Sequence, residues 1–128
     1  SMCDRVAVMN EGVIQQVGAP RELYLRPRTR FVARFVGNLN TLPATRRDGR
    51  VEPGGLDAPG PDGPVEIGFR PEAARFAAAG APCTVLRSVY RGAFTRHHVQ
   101  VGDRTILVDG RPETGPCIAV SDAWVMTD

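Results

Sequence analysis

Lysine is absent from the chain, and all 16 of its basic residues are arginine. A phosphate-binding loop of the GxxxxGKS or GxxxxGKT type needs a lysine ammonium beside the nucleotide phosphates, so these residues cannot encode an ATPase core of that type. The sequence also has no GxGxxG dinucleotide fingerprint and no GxSxG nucleophile elbow. We therefore predict that the chain is not itself an enzyme and holds no catalytic residue.

Long apolar runs and a strong net charge are missing too. No segment approaches the roughly 20 apolar residues that cross a bilayer, and no charged-then-apolar leader opens the sequence. The net charge of +2 is too small to indicate nucleic-acid binding by itself. We expect any role at a membrane to depend on a partner, and we expect no nucleic-acid partner.

Cysteine is scarce, and Cys3, Cys83 and Cys117 show no CxxC spacing. An odd number without that spacing favours free, buried thiols in a reducing compartment, with a Cys83–Cys117 disulfide as the alternative. No spacing typical of zinc ligands occurs. The adjacent His97 and His98 would point to opposite faces of a strand, so we predict a hydrogen-bonded inner His97, a solvated His98 and no metal site.

The first part of the chain predicts a strand hairpin. Residues 5–9 and 13–17 form two β-rich runs. The loop between them ends in Gly12, which readily takes the left-handed conformation that closes a hairpin.

Two short helices are predicted next. Pro20 suits the first position of a helix that must end before Pro27. A second helix should cover residues 29–36, with Thr29 as its cap and Gly37 at its end. This helix carries an apolar stripe, which we expect to drive self-association or to remain mobile if it is left uncovered. The stripe consists of Phe31, Val32, Phe35 and Val36.

A dense group of arginines lies along these two helices. They form either the solvated face of amphipathic helices or a surface that contacts phosphate or an acidic partner. The group consists of Arg21, Arg26, Arg28, Arg30 and Arg34.

From residue 41 onward the sequence predicts short strands and turns. Residues 47–50 indicate a tight turn, and the Pro- and Gly-rich residues 53–64 indicate an exposed loop. The segment from Arg70 through Phe76 predicts a brief helical turn. Strands at 65–69, 83–90, 93–101, 104–109 and 117–128 would form a small antiparallel barrel. The aromatic residues Phe69, Phe76, Tyr90, Phe94 and Trp124 are expected in its core, or alternatively on a base-stacking surface.

Residues 4–40 resemble the segment that closes the nucleotide-binding domain of ATP-binding-cassette (ABC) import ATPases. The resemblance rests on a VG-x-P-x-x-x-Y-x-x-P-x-x-x-F-V-A-x-F-x-G signature, present here as Val17, Gly18, Pro20, Tyr24, Pro27, Phe31, Val32, Ala33, Phe35 and Gly37. Ala19 stands where that family often has Thr, and this removes a possible helix cap. The catalytic loops of such ATPases lie upstream of the signature, so no catalytic residue is carried over.

Residues 41–128 resemble the transport-associated OB-type (TOBE) domain of the same subunits. The motifs are Ile67-Gly68-Phe69-Arg70-Pro71-Glu72, and Val89-Tyr90-Arg91-Gly92 at the entry to a strand. The two resemblances imply a mainly β fold in two domains. Residues 1–40 would be the remnant of the nucleotide-binding domain, and residues 41–128 would be an OB-like barrel.

The resemblance implies a regulatory and dimerising region of an importer's ATP-binding subunit. Arg70, Glu72, Tyr90 and Gly92 are the candidate regulatory or interdomain residues. No cofactor is expected here, whereas ATP and Mg²⁺ would bind the parent protein. The expected partners are the rest of the subunit, a second copy of it and, indirectly, the permease. The complex would lie at the cytoplasmic face of the membrane.

Three questions stay open at this level. The solute would be of the polyamine, ferric iron, thiamine or sugar type, and residues 38–40 resemble the first three types more than sugar importers. The barrel would alternatively sense a small ligand or oxyanion. A free-standing oligonucleotide-binding barrel is the third interpretation, and its binding would weaken steeply with salt.

Overall fold

The computed structural model describes residues 4–111 and 115–127. These residues divide into two compact units. The first unit contains residues 4–39 together with Met126 and Thr127, and the second contains Asn40–Val125. Strands predominate, so the predicted mainly β fold is confirmed.

The first unit contains the predicted hairpin and helices. Strands β1 (Val6–Asn10) and β2 (Val13–Gly18) pair antiparallel, and helices α1 (Pro20–Leu25) and α2 (Arg30–Val36) follow. Gly12 closes the hairpin with a φ of 79°, as its freedom in the left-handed region allows. The Thr29 side chain caps α2 by accepting a hydrogen bond from the Val32 N–H at 3.2 Å. The hairpin and cap predictions are therefore confirmed.

A small apolar cluster and one buried amide hold this unit together. Val8, Leu23 and Val32 form the cluster. Gln16 is buried on β2, where its Nε2 donates to the Arg26 carbonyl at 3.2 Å and its Oε1 accepts from the Arg28 N–H at 2.8 Å. The side chain thereby fixes the linker between the two helices against the hairpin.

The second unit consists of short strands and one 3₁₀ turn at Pro71–Ala73. The strands, in chain order, are β3 (Asn40–Arg47), β4 (Arg50–Glu52), β5 (Leu56–Asp57), β6 (Gly63–Phe69), β7 (Ala74–Ala77), β8 (Ala81–Pro82), β9 (Thr84–Tyr90), β10 (Thr95–Val101), β11 (Arg104–Gly110), β12 (Cys117–Val120) and β13 (Trp124–Val125).

These strands form three antiparallel sheets, with strand orders β13-β6-β3-β4-β5, β7-β12-β8 and β11-β10-β9. Alternate residues point inward, as the period of a strand requires; on β11, for example, Ile106 and Val108 are buried whereas Thr105 is exposed. The inward side chains of all three sheets meet in one core, whose largest members are Leu42, Ile67, Phe69, Phe76, Val99, Ile106 and Ile118. The arrangement is a nearly closed OB-like barrel.

The Asn40 side chain joins two of these sheets. Its Nδ2 donates to the Leu107 carbonyl at 2.7 Å, and its Oδ1 accepts from the Leu107 N–H at 2.9 Å. An amide side chain thus takes the place of a backbone ladder between β3 and β11, and it satisfies polar groups that would otherwise be buried without partners.

Three predictions about elements are wrong. The strand predicted at 117–128 is interrupted, because β12 ends at Val120 and β13 pairs with β6 in another sheet. The other two errors have a common cause. The helical turn beginning at Arg70 does not reach Phe76; it ends at Ala73, and β7 follows because residues 74–77 pair with β12. The predicted loop at 53–64 contains β5, which pairs with β4, and β6 already begins at Gly63. In both places cross-strand pairing overrides the local turn and helix signals.

Candidate functional site

Arg70 is a buried cation at the end of β6, with only 1% of its surface exposed. Its carbonyl accepts a hydrogen bond from the Ala73 N–H at 2.9 Å, which closes the 3₁₀ turn. Its guanidinium lies 5.4 Å from the centre of the Trp124 ring, within the range of a cation–π contact. Arg70 therefore links the turn to β13 from inside the barrel, where a soluble ligand would not reach it.

Glu72 lies on the outside of the same turn and is exposed. The turn itself is held by Ser121, whose N–H donates to the Ala73 carbonyl at 2.9 Å. Glu72 lines a groove of about 350 Å³ together with Arg75, Asp109 and Arg111. Side chains of both charges therefore face this groove.

Tyr90 and Gly92 lie in a different sheet, where β9 turns into β10. The Arg91 N–H donates to the Phe94 carbonyl at 2.8 Å, and Gly92 has a φ of 90°, which favours glycine. Tyr90 is 78% exposed, so its expected place in the core is wrong. The four candidate residues thus lie on two different turns, Arg70 with Glu72 on the 3₁₀ turn and Tyr90 with Gly92 on the turn between β9 and β10.

His97 is buried on β10, and both of its ring nitrogens have partners. Nε2 lies 2.9 Å from the Arg111 carbonyl and Nδ1 lies 2.7 Å from the Ser88 hydroxyl. Because a carbonyl only accepts, Nε2 carries a proton, and in the neutral ring Nδ1 accepts from Ser88. The ring also meets Phe76 edge to face at a centroid distance of 5.0 Å. The prediction of a hydrogen-bonded inner histidine is confirmed.

His98 faces the outer side of the sheet among arginines. Burial and then the guanidinium groups of Arg87, Arg96 and Arg91 lower the pKa of His98, and Asp109 opposes them weakly. The outer surface around His98 is therefore electropositive.

The described thiols and acidic groups offer little metal chemistry. Cys83 and Cys117 are free and half-buried, so the prediction of free thiols is confirmed for these two, whereas Cys3 lies outside the described residues. Within residues 4–111 and 115–127, no group of three His, Cys, Asp or Glu side chains is placed to hold a metal ion.

A second groove of about 580 Å³ is lined mainly by small and apolar residues, which include Pro53 to Gly55 and Ile118 to Val120. Its charged side chains are engaged with neighbours. Arg50 lies 3.5 Å from Glu52 and 3.1 Å from Asp57, and its hydrogen bond to Asp57 raises the pKa of the guanidinium further. This groove lacks the convergent polar side chains that mark a small-molecule site.

The family model described as TOBE domain matches residues 46–120, which lie within the second unit. The chain belongs to the TOBE domain family.

Relatives of this TOBE chain are named as ATP-binding subunits of several importers. It is 40% identical to a spermidine/putrescine import ATP-binding protein of Pseudomonas aeruginosa, over 88% of this chain and 35% of the relative. It is 38% identical to an Fe(3+) ions import ATP-binding protein of Escherichia coli, over 72% of this chain and 29% of the relative. It is 42% identical to an sn-glycerol-3-phosphate import ATP-binding protein of Paracoccus denitrificans, over 71% of this chain and 28% of the relative.

This chain therefore spans about a third of the length of the curated relatives it matches. The match to the Pseudomonas protein covers 88% of the chain, more than the second unit contains, so it extends into the first unit. No helix in the described part of the chain combines the length and apolarity needed to cross a membrane.

The first unit, outside the TOBE match, exposes an apolar face. Ala7 pairs with Val17 and Met9 pairs with Ile14, so these four side chains lie on the side of the hairpin that faces away from the buried Val8. Phe35, stacked on Phe31 at 5.9 Å, is 66% exposed. The predicted stripe on α2 is therefore split: Val32 is buried in this unit, whereas Phe35 points outward.

Sequence reasoning missed two ion pairs that join the TOBE strands. Arg96 binds Asp109 through two hydrogen bonds of 2.8 Å across β10 and β11. Arg104 binds Glu66 at 3.0 Å and the Thr41 hydroxyl at 2.8 Å. Arg96 and Asp109 lie opposite each other in the β10–β11 hairpin, so their pairing depends on the hairpin register. Glu66 and Arg104 lie on strands far apart in the sequence, so their pairing depends on the tertiary fold.

Proposed function

We propose that this chain is the C-terminal region of the ATP-binding subunit of an ABC solute importer, with the TOBE barrel as its regulatory and dimerising part. The proposal is carried by the apolar hairpin face of Ala7, Met9, Ile14 and Val17 in a unit that matches the same relatives. Exposed faces of this kind mark an interaction surface. The upstream part of the subunit covers this face and supplies the ATP and Mg²⁺ site.

The expected chemistry follows from the residues. Hydrolysis in such a subunit needs a phosphate-binding lysine, and the chain has none. The parent protein hydrolyses ATP, and this region contributes assembly and control. Through the permease the complex lies at the cytoplasmic face of the membrane.

The solute belongs to the polyamine, ferric iron, thiamine or sugar class. Relatives named for polyamine and ferric iron import support the first two. A transport assay with the complete importer in vesicles, using labelled spermidine, ferric iron, thiamine and maltose in turn, selects among them.

The central experiment compares ATP hydrolysis by this chain and by the complete subunit at equal concentration. The chain should show no turnover above buffer, and the complete subunit should hydrolyse ATP and bind its permease. Turnover by the isolated chain at an importer's ordinary rate would overturn the proposal. A complete subunit that elutes strictly as a monomer with ATP bound would overturn the dimerising role.

A second candidate function is the sensing of a small charged effector in the groove beside Glu72. The groove brings Glu72 and Asp109 together with Arg75 and Arg111, so it suits a ligand that carries both charges. A ligand that binds only the folded state raises the midpoint of thermal unfolding. The test is a thermal-shift screen against amino acids, phosphorylated metabolites and oxyanions, with Arg75→Glu as the control variant that should abolish any shift.

A further inference from the structure

Strand β9 is an exposed sheet edge. It pairs with β10 along one side, from Tyr90↔Thr95 to Thr84↔Gln100, and within the described chain no strand pairs with its other side. At seven residues it is long for an open edge. Such an edge presents backbone N–H and C=O groups that can accept another strand.

The edge also exposes apolar side chains. Register places Arg87 opposite His98 and Val85 opposite Val99, so Leu86 is an extra, bulged residue. Leu86 is 55% exposed, and Tyr90 at the end of the strand is 78% exposed. Among the described residues of the second unit, these two are the large hydrophobic ones that are exposed. Backbone and side chains together therefore provide two kinds of contact along one strand.

The charged side chains along this edge are positive. Arg87 and Arg91 are exposed, and neither forms an ion pair with a carboxylate among residues 4–111 and 115–127. Asp109, the acidic group near His98, is already bound to Arg96. His98 lies directly across from Arg87 and adds a further group that can become cationic.

We propose that the β9 edge binds an extended acidic segment of a partner protein as an added strand. Alternate side chains of a strand lie on one face, so a segment with carboxylates at every second position would direct them towards Arg87, Arg91 and His98. Its remaining side chains would contact Leu86 and Tyr90. This recognition mode gives affinity through main-chain hydrogen bonds and specificity through side chains.

The charges argue against other occupants. A second copy of this chain would bring the arginines of both β9 strands together, and like charges facing each other across strands are destabilising. Single-stranded nucleic acid prefers a series of aromatic residues for stacking, and Phe69 and Phe76 are buried. The inference goes beyond the proposed function and does not depend on it, because it concerns a surface of the second unit alone.

The test is a titration of the isotope-labelled chain with an acetylated, amidated peptide of about ten residues, in which Glu alternates with Val or Thr. We expect chemical-shift changes confined to β9 and the β10 residues beside it. The β9 amides on the open edge should become protected from hydrogen exchange. Raising the salt should weaken binding, because the contact charges are exposed.

Variants separate the two kinds of contact. Arg87→Glu with Arg91→Glu should weaken binding by about tenfold or more, and Leu86→Thr with Tyr90→Thr should also weaken it. The control variant is Arg21→Glu with Arg47→Glu. It makes the same change in net charge at two exposed arginines outside β9 and should leave binding unchanged. Trp124 fluorescence verifies that each variant is folded. If the charge-reversed pair does not fold, Arg87→Gln with Arg91→Gln replaces it.

Four outcomes would overturn the proposal. The first is that a peptide with Gln in place of Glu binds as tightly as the acidic peptide, and the second is that the chemical-shift changes fall away from β9. The third is that a thymidine oligonucleotide competes with the peptide at equal affinity. The fourth is that the β9 amides are already protected from hydrogen exchange in the complete subunit without any peptide. The last result would mean that the subunit itself covers the edge.

Discussion

The two units of the chain differ in how many of their large apolar side chains they bury. The second unit gathers eleven buried hydrophobic residues from three sheets into one core. The first unit buries a cluster of Val8, Leu23 and Val32. Among its described residues, five large hydrophobic ones are exposed: Met9, Val13, Ile14, Val17 and Phe35. A unit that buries its own apolar surface can fold alone, whereas the first unit needs more protein around it.

Separating the two units should have the largest effect on whether each one folds. We expect Asn40–Val125 alone to unfold cooperatively, because its core and its ion pairs lie within it. We expect residues 1–39 alone to be unfolded, since so short a segment with a small core cannot offset its conformational entropy. Circular dichroism of both pieces during urea unfolding is the measurement. A cooperative transition in the short piece would contradict the comparison.

Two phenylalanines test the same difference by substitution. Phe69 is fully buried, so Phe69→Ala should lower the free energy of unfolding of the second unit by about 3–5 kcal/mol. Phe35 is mostly exposed, so Phe35→Ala should change the stability of this chain by less than about 0.5 kcal/mol. Trp124 is the single tryptophan and lies in the second unit. Its fluorescence follows the Phe69 variant in urea, and helix ellipticity follows the Phe35 variant.

The Phe35 result should reverse in the complete subunit. There the upstream residues are expected to cover Phe35, and its truncation should then be clearly destabilising. A Phe35→Ala change that is neutral in both proteins would argue against a covered face.

Each unit also has a buried amide side chain that donates one hydrogen bond to the backbone and accepts another from it: Gln16 in the first unit and Asn40 in the second. Asn40→Asp removes the donor to the Leu107 carbonyl and should cost about 1–3 kcal/mol in the second unit, since a buried group loses its partner. Gln16→Glu removes the donor to the Arg26 carbonyl and should loosen the helix linker without changing the Trp124 transition. Urea unfolding gives the first result, and amide exchange at Arg28 gives the second. If the two variants shift the Trp124 transition equally, the units do not unfold separately.

The smallest expected effect is a pH dependence confined to the second unit. The pKa of His98 is lowered in the folded state, so below about 6.5 the unfolded chain binds more protons than the folded one. Stability should therefore fall slightly as the pH drops below about 6.5, and the contribution of His98 should be level above that pH. His98→Gln should flatten the profile of the urea midpoint between about pH 5 and 7.5. An unchanged slope in this variant would assign the dependence to another group.

The first unit was predictable because its signals are local. Gly12, Pro20, Thr29 and Pro27 each act within a few residues of their own position, through left-handed turns, fixed φ values and capping. The prediction of Pro27 as the limit of α1 agrees with its end at Leu25. The Arg47 to Arg50 turn was predictable for the same reason, with Asp48 and Gly49 both at positive φ.

The positions of the candidate site residues could not be predicted from local signals of this kind. Arg70 and Tyr90 were both recognisable as motif residues, yet one is inside the barrel and the other lies on an open edge. β7 escaped prediction because it pairs with β12, which comes from a distant part of the chain. The pair of Arg96 with Asp109 lies within one hairpin and depends on the register that the short turn between β10 and β11 sets.

By itself the sequence determined the mainly β class, the hairpin, the two helices with their ends, and the absence of a phosphate-binding lysine. These follow from residue types acting on their immediate neighbours. The tertiary structure alone decided strand order and register, and with them the burial of Arg70, the bridging role of Asn40 and the open edge at β9. The physical reason is that a strand finds half of its hydrogen-bonding partners on another strand, and only the folded chain specifies which one.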